Sequence, residues 1–355
     1  MRTLHRRALG RATLARQLLL ERSDLSPAEA LDHLVGLQAQ APLAPYVALW
    51  SRLAGFRPQN LADLVTDGRA VRVTVMRGTI HLVTAGDAGP LRTMLQSMLE
   101  RRFASSPYAR HLVRVDLAEV EARARRLLEQ GPLTRPQLSK GLAQWWPDRD
   151  PASLAHVVTY RVPLVQVPPR GVWGRTGPIA YTPYEVDPST VDMDDVVRRY
   201  LGAFGPASVR DIQAWCGLTR LGEVVQRLRP GLETFRDEHG VELFDLPDAP
   251  RPDPDTPAPP RFLPEYDNVL LGHADRTRVN PDGHPVPLLP GNGAAAGTVL
   301  VDGCFRALWQ LDRTGATVTV TPLGKLTRPE RSALTSEAHQ LLAFLGHSPG
   351  RVDVK

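Results

Sequence analysis

This chain has very little cysteine. Cys216 and Cys304 stand far apart and neither has a C-x-x-C companion, so a disulfide framework and a cysteine-built zinc site are both excluded. It also lacks a long apolar run. The N-terminus, Met1-Arg2-Thr3-Leu4-His5-Arg6-Arg7, is basic, but no signal-type apolar core follows, and no stretch approaches the roughly 18 residues of a membrane span. No Gly-rich phosphate loop, H-E-x-x-H helix, nucleophile elbow or EF-hand loop is present. These absences predict a cytoplasmic protein with no membrane, no metal and no cofactor.

What is present is ordinary in amount and biased in kind. The 355 residues are 42% hydrophobic and 23% charged, enough for a large core and several modules. Lys+Arg number 43 against 38 Asp+Glu, a net charge of +5, and arginine supplies most of the positive side. Guanidinium groups suit bidentate partners such as phosphate. An Arg-rich genome would give the same balance, so charge alone decides nothing.

Helix signals recur in order along the chain. Ala8 to Glu21 has helical spacing, and Ser26-Pro27-Ala28-Glu29 is a capping box opening a helix to about Leu37. Pro42 to Gly55 and Asn60 to Asp67 follow, then strands Val71–Met76 and Thr79–Val83 about Arg77-Gly78, and a helix capped by Thr84. The second region repeats the order: helices over 116–129, from Thr134 to about Trp145, and over 151–160, then strands 164–167 and 179–182 about an Arg/Gly-rich tip. The third gives helices over 192–204, 208–215 and 219–228, then a hairpin of 232–236 and 241–246. Gly131-Pro132-Leu133-Thr134 and Gly205-Pro206-Ala207-Ser208 echo one another. Helices followed by a two-stranded ribbon is the winged-helix order.

The Pro-rich connector 247–261 can be neither helix nor central strand. Beyond it, 298–311 and 316–322 read as strands, and Thr327-Arg328-Pro329-Glu330 caps a final helix to about Leu345. The expected fold is α+β: three tandem winged-helix modules (1–110, 111–190, 191–250), then a connector and a β-rich subdomain with one helix (251–355).

Candidate site residues stand out against plainer readings. Glu29 and His33, a helical turn apart, could pair on a metal, though a solvated or core histidine explains them as well. Trp145 and Trp146 read as core anchors. Arg123, Arg125 and Arg126 share a helix with Glu119, Glu121 and Glu129, a salt-bridged solvent face. Arg77, Arg170, Arg175 and Arg236 lie at or near hairpin tips or strands, where they can reach phosphates. His273-Ala274-Asp275-Arg276-Thr277-Arg278 is denser in charge than its apolar approach needs. Most unusual is Leu34-Val35-Gly36-Leu37-Gln38-Ala39-Gln40, an apolar helix end running into a Pro-terminated turn with two long amides that can accept and donate at one spot.

That stretch, with Val75-Met76-Arg77-Gly78-Thr79-Ile80-His81-Leu82-Val83, Leu263-Pro264-Glu265-Tyr266-Asp267-Asn268 and Asp275-Arg276-Thr277-Arg278, resembles the AlkZ-like family of bacterial DNA glycosylases, which includes the YcaQ branch. The similarity runs in order over nearly the whole chain. It implies tandem winged helices in a C-shaped basic body and a catalytic Gln-apolar-Gln or Gln-apolar-Asp triplet. Gln38-Ala39-Gln40 matches the first form; Gln40 stands where the YcaQ type carries Asp. The resemblance implies excision of N7-alkylated purines from double-stranded DNA, interstrand crosslinks included, as in self-resistance to DNA-alkylating natural products, by a monomer. Gln38 and Gln40 are then the catalytic residues, and Arg77, His81, His273, Arg276 and Arg278 hold DNA. A tandem winged-helix transcription regulator without catalysis is the alternative from another class.

Overall fold

The computed structural model describes residues 1–187, 192–287 and 296–355. The chain forms two compact units. One is assembled from Met1–Arg57, Asp194–Trp215 and Arg220–Lys355, the other from Pro58–Met193 and Cys216–Thr219. These limits of compactness differ from the sequence modules, whose boundaries were expected near 110, 190 and 250. The fold is α+β.

In the first unit a five-stranded sheet runs in chain order through Arg261–Leu263, Gly297–Val301, Cys304–Asp312, Thr317–Pro322 and Arg351–Val354. All pairings are antiparallel except the last, which is parallel. The helix Arg328–Phe344 starts from its capping box: Thr327 Oγ1 accepts from Glu330 N while Glu330 Oε2 accepts from Thr327 N. Its Leu334, Ala338 and Leu341 close over Phe262, Val299, Val318 and Val320, and Val47 and Trp50 of the helix Ala44–Arg52 join the same core. A smaller sheet sets Arg2–Thr3 parallel to Glu233–Arg236, which pairs antiparallel with Glu242–Asp245.

Fully buried ion pairs tie distant parts of this unit together. Arg16 binds Asp245 bidentately (2.5 and 2.9 Å), and Arg52 binds Asp267 in the same way (2.9 and 2.8 Å). Both pairs have zero side-chain exposure. Such pairs return little net stability, yet losing one partner strands a charge in the interior. They therefore specify an arrangement more than they strengthen it.

In the second unit the strands Ile80–Thr84, Ala70–Thr74, Leu164–Gln166, Ala180–Pro183 and Leu133–Thr134 lie side by side, every pairing antiparallel. Helices Leu117–Leu128, Arg135–Leu142 and Pro151–Arg161 bury Val120, Ala124, Leu138, Leu142, Leu154 and Val158 together.

Two sequence expectations change. The helix opened by Ser26 runs only Pro27–His33, because Val35 (φ 52°) and Gly36 (φ 90°) turn the chain left-handed. The expected single strand 298–311 is a hairpin, reversed at Asp302 (φ 48°) and Gly303 (φ 76°). An Asp-Gly pair supplies the two positive φ values that a tight hairpin turn requires.

Candidate functional site

The glutamine pair is set up by how its helix ends. Gly36 N donates to Leu31 O at 2.9 Å and Val35 N to Asp32 O at 3.1 Å, the paired closing bonds of a Schellman turn. The left-handed position falls on Val35, a β-branched residue for which that conformation costs about 1–3 kcal/mol. Val35 is fully buried, so packing holds it there. The chain leaves the turn as the short strand Leu37–Gln38. Gln38 is 7% exposed, Ala39 fully buried, and Gln40 half-buried at a bend. Gln38 thus sits on extended backbone, not on a helix end, and Gln40 lies two residues on, at the bend that follows the strand.

A brace reaches this strand from far along the sequence. Asn268 Nδ2 donates to Gly36 O at 2.8 Å, one residue before the strand, and the bond is buried. Asn268 is itself fixed by its neighbour. Asp267 caps the short helix Asn268–Leu271, accepting from Val269 N at 3.0 Å, and carries the bidentate pair with Arg52. Arg52 in turn donates to Ala48 O (3.1 Å) and Gln17 Oε1 (3.4 Å). In the same segment Glu265 has its carboxyl pushed above the usual glutamate range by burial. Asp267 and Asn268 brace the glutamine strand, a support that residue-by-residue reading missed. Their only signal was their place in the ordered set of motifs.

Arg77 occupies a tight turn at φ 56°, with Gly78 at 69° after it. Its Nη2 lies 3.3 Å from His81 Nε2, and His81 Nδ1 lies 3.1 Å from Thr79 O. Burial, then the charge of Arg77, lowers His81 to about 3. The ring is neutral: Nδ1–H donates to Thr79 O and Nε2 accepts from Arg77. At 1% exposure His81 supports Arg77 and offers no polar atom to a ligand.

The segment 273–278 is organised by Asp211, which no motif had singled out. Asp211 Oδ1 accepts from Ala274 N (2.9 Å) and Asp275 N (3.4 Å), while Oδ2 accepts from Ser208 N and Oγ (2.9 and 2.8 Å). Burial pushes Asp211 up, but the charge of Arg278 and the Ser208 bonds help to outweigh it and hold it low. His273 Nε2 bonds Phe204 O at 2.9 Å, and Arg278 Nη1 donates to Pro206 O at 2.9 Å and Thr13 Oγ1 at 3.3 Å. Asp275 turns back on Thr277 N and Oγ1. Arg276 alone of the three basic residues keeps a half-buried guanidinium whose Nε has no partner.

The expected site residues therefore divide. Gln38 and Gln40 share one strand and its bend, Arg77 and His81 touch, and His273, Arg276 and Arg278 share one segment. The glutamines and that segment belong to the first compact unit, and Arg77 with His81 to the second. His81, His273 and Arg278, expected to hold DNA, are buried at 1%, 2% and 7% exposure; His81 and Arg278 bond protein partners, while His273 does so through Nε2 and its Nδ1 has none. His33, weighed as half of a metal pair with Glu29, bonds Arg16 O at 2.6 Å, and Glu29 is used in its capping box.

A family model described as DNA glycosylase AlkZ-like matches residues 31–344. The chain belongs to that family. Its members are DNA glycosylases, so this AlkZ-like protein is a hydrolase of the N-glycosidic bond acting on DNA, and the regulator alternative falls away. The protein is similar to an interstrand DNA cross-link repair glycosylase of Streptomyces sahachiroi, 23% identical with 94% of this chain and 95% of the relative covered. Its fold matches the solved Streptomyces sahachiroi DNA glycosylase AlkZ with a TM-score of 0.73 at 20% identity, over 99% of both chains. Among the described residues, no helix is long and apolar enough to cross a membrane.

Proposed function

We propose that this glycosylase excises N7-alkylated purines from double-stranded DNA, as a monomer, and unhooks interstrand crosslinks built on the same linkage. The observation that carries the reading is the glutamine strand itself: two amides, one at 7% exposure and one half-buried, on backbone braced by Asn268. Alkylation at N7 gives a purine a fixed positive charge and makes it a good leaving group without a strong general acid. What remains is to stabilise an oxocarbenium-like deoxyribose and hold the attacking water, work that glycosidases commonly assign to carboxylates. Amide oxygens accept from that water and turn their dipoles toward the developing positive charge. An amide is a far weaker base than a carboxylate, so undamaged neutral bases are left alone and the chemistry calls for no metal.

Arg77 and Arg276 are assigned to phosphate, with His81 positioning the first and His273 and Arg278 fixing the segment that carries the second. We also read 1–110, 111–190 and 191–250 as winged-helix modules ahead of the subdomain 251–355. The second module supports this best: Leu117–Leu128, Leu133–Thr134, Arg135–Leu142, Pro151–Arg161, Leu164–Gln166 and Ala180–Pro183 follow the helix, strand, helix, helix, strand, strand order of that motif.

The test is incubation with duplexes carrying N7-methylguanine or a nitrogen-mustard crosslink, reading released base and abasic sites. Wild-type protein is expected to release base. Gln38→Ala with Gln40→Ala is expected to lose most of the excision rate while still binding duplex. Wild-type rates in that double variant would overturn the site assignment, and no release from either duplex by the native protein would overturn the substrate.

A further inference from the structure

Residues 101–114 of the second unit form a basic surface of unusual purity. Arg101, Arg102, Arg110, His111 and Arg114 are all exposed, and the segment contains no Asp or Glu. None of its four arginines makes an ion pair among the described residues. Three neighbours behave differently, although Arg125 and Arg126 beside them also lack an ion pair among the described residues. Arg123 pairs with Glu119, Arg161 with Glu121 and Glu100, and Arg69 with Asp67. The buried Arg92 is spent on Gln96 and on Tyr160 O and Val162 O. A surface that only needed solubility would mix signs as those helices do.

The patch is continuous with the turn that carries Arg77. The Arg102 side chain lies directly over Gly78, where a Cβ would come within 2.7 Å of Arg102 Cδ. Apolar groups are interleaved with the charges. Tyr108 (37% exposed) stacks on His156 with centroids 3.9 Å apart, and Val113 is 61% exposed. Unpaired guanidiniums for phosphate oxygens, with apolar surface between them for deoxyribose, match the alternation of a sugar-phosphate backbone.

We propose that residues 101–114 bind the phosphate backbone of duplex DNA flanking the lesion, extending the footprint beyond the Arg77 turn. The inference rests on the reading of Arg77 as a phosphate contact, but not on the role of the glutamines. Each phosphate neutralised adds about 0.9 to the slope of log affinity against log salt for B-form DNA. The test measures Kd for an undamaged duplex from 50 to 200 mM salt, comparing wild type with Arg101→Gln/Arg110→Gln/Arg114→Gln. Arg102 is kept because it packs on Gly78. Losing three contacts lowers the slope by about 2.7, so the ratio of variant to wild-type Kd shrinks about 40-fold across that range. The corresponding triple lysine variant is expected to keep the wild-type slope. Equal slopes for wild type and the glutamine variant overturn the proposal, as does a lysine variant that behaves like the glutamine one. A wild-type protein that releases no base at all would sink the substrate reading and leave the slope comparison standing.

Discussion

Replacing Asn268 with alanine removes one hydrogen bond and leaves Gly36 O buried with no donor. Stranding a buried carbonyl costs about 1–3 kcal/mol. The strained turn upstream makes the strand the place where that cost is expressed: Val35 already sits left-handed, and the Asn268 bond holds the peptide between it and Gln38. If the relief comes as a shift of the Leu37–Gln38 backbone, the same energy raises the excision barrier. At about 1.4 kcal/mol per decade the rate falls roughly 5- to 150-fold. The assay is single-turnover release from an N7-methylguanine duplex with enzyme in excess, beside duplex affinity at one fixed salt and a thermal unfolding curve. Asn268→Ala is expected to lower the rate within that span and leave affinity close to wild type. Asn268→Asp conserves volume but presents an acceptor to an acceptor, so it is expected to do at least as much damage. A variant that melts a few degrees lower yet excises at the wild-type rate would refute the reasoning, because the bond would then serve the fold and not the glutamines.

Other outcomes follow from the same contacts. Asp267→Asn leaves the fully buried Arg52 charge uncompensated and is expected to cost about 3–5 kcal/mol in urea denaturation, whereas Arg52→Met with Asp267→Leu together should cost less than the single change. Gly10→Ala should destabilise, although alanine ordinarily gains about 0.5–1 kcal/mol in a helix interior; a Cβ there would lie 2.6 Å from the Arg278 carbonyl oxygen, and a raised melting temperature would count against this packing. His81 and His273 are lowered to about 3 and His156 to about 4, chiefly by burial, so all three are neutral in the folded protein. The unfolded chain takes up their protons first, so stability is complete above about pH 6.5 and falls as pH drops toward 3–4. A urea midpoint that stays flat from pH 7 to 4.5 would contradict that burial.

Local signals were legible wherever a side chain answers its own backbone. Ser26, Thr134 and Thr327 each form the capping box that their sequence announces. The strands about Arg77-Gly78 pair as expected, because alternating β-branched residues flank a turn. The end of the helix at His33 was not legible. Glycine usually marks the left-handed position, but here it comes one residue later and a buried valine takes the strain. The edge strands Arg2–Thr3 and Arg351–Val354 are too short to announce themselves, and each depends on a partner strand elsewhere in the chain. At the site, Gln38 and Gln40 stood out as amides in an apolar setting. The meaning of Asp267 and Asn268 did not, since their partners Arg52 and Gly36 lie 215 and 232 residues away. The charge cluster at 273–278 looked like a surface. Asp211 and three backbone carbonyl or hydroxyl acceptors draw most of it inward.

The separation of Gly36 from Asn268 has a consequence during synthesis. A ribosome that has finished the glutamine strand must still add more than two hundred residues before the amide that steadies it emerges. Partial products can hold the proposed catalytic pair without its support, so abandoned translation should yield fragments that are inert toward the genome. A clipped protein whose two pieces reassociate through Arg52 and Asp267 should recover its competence.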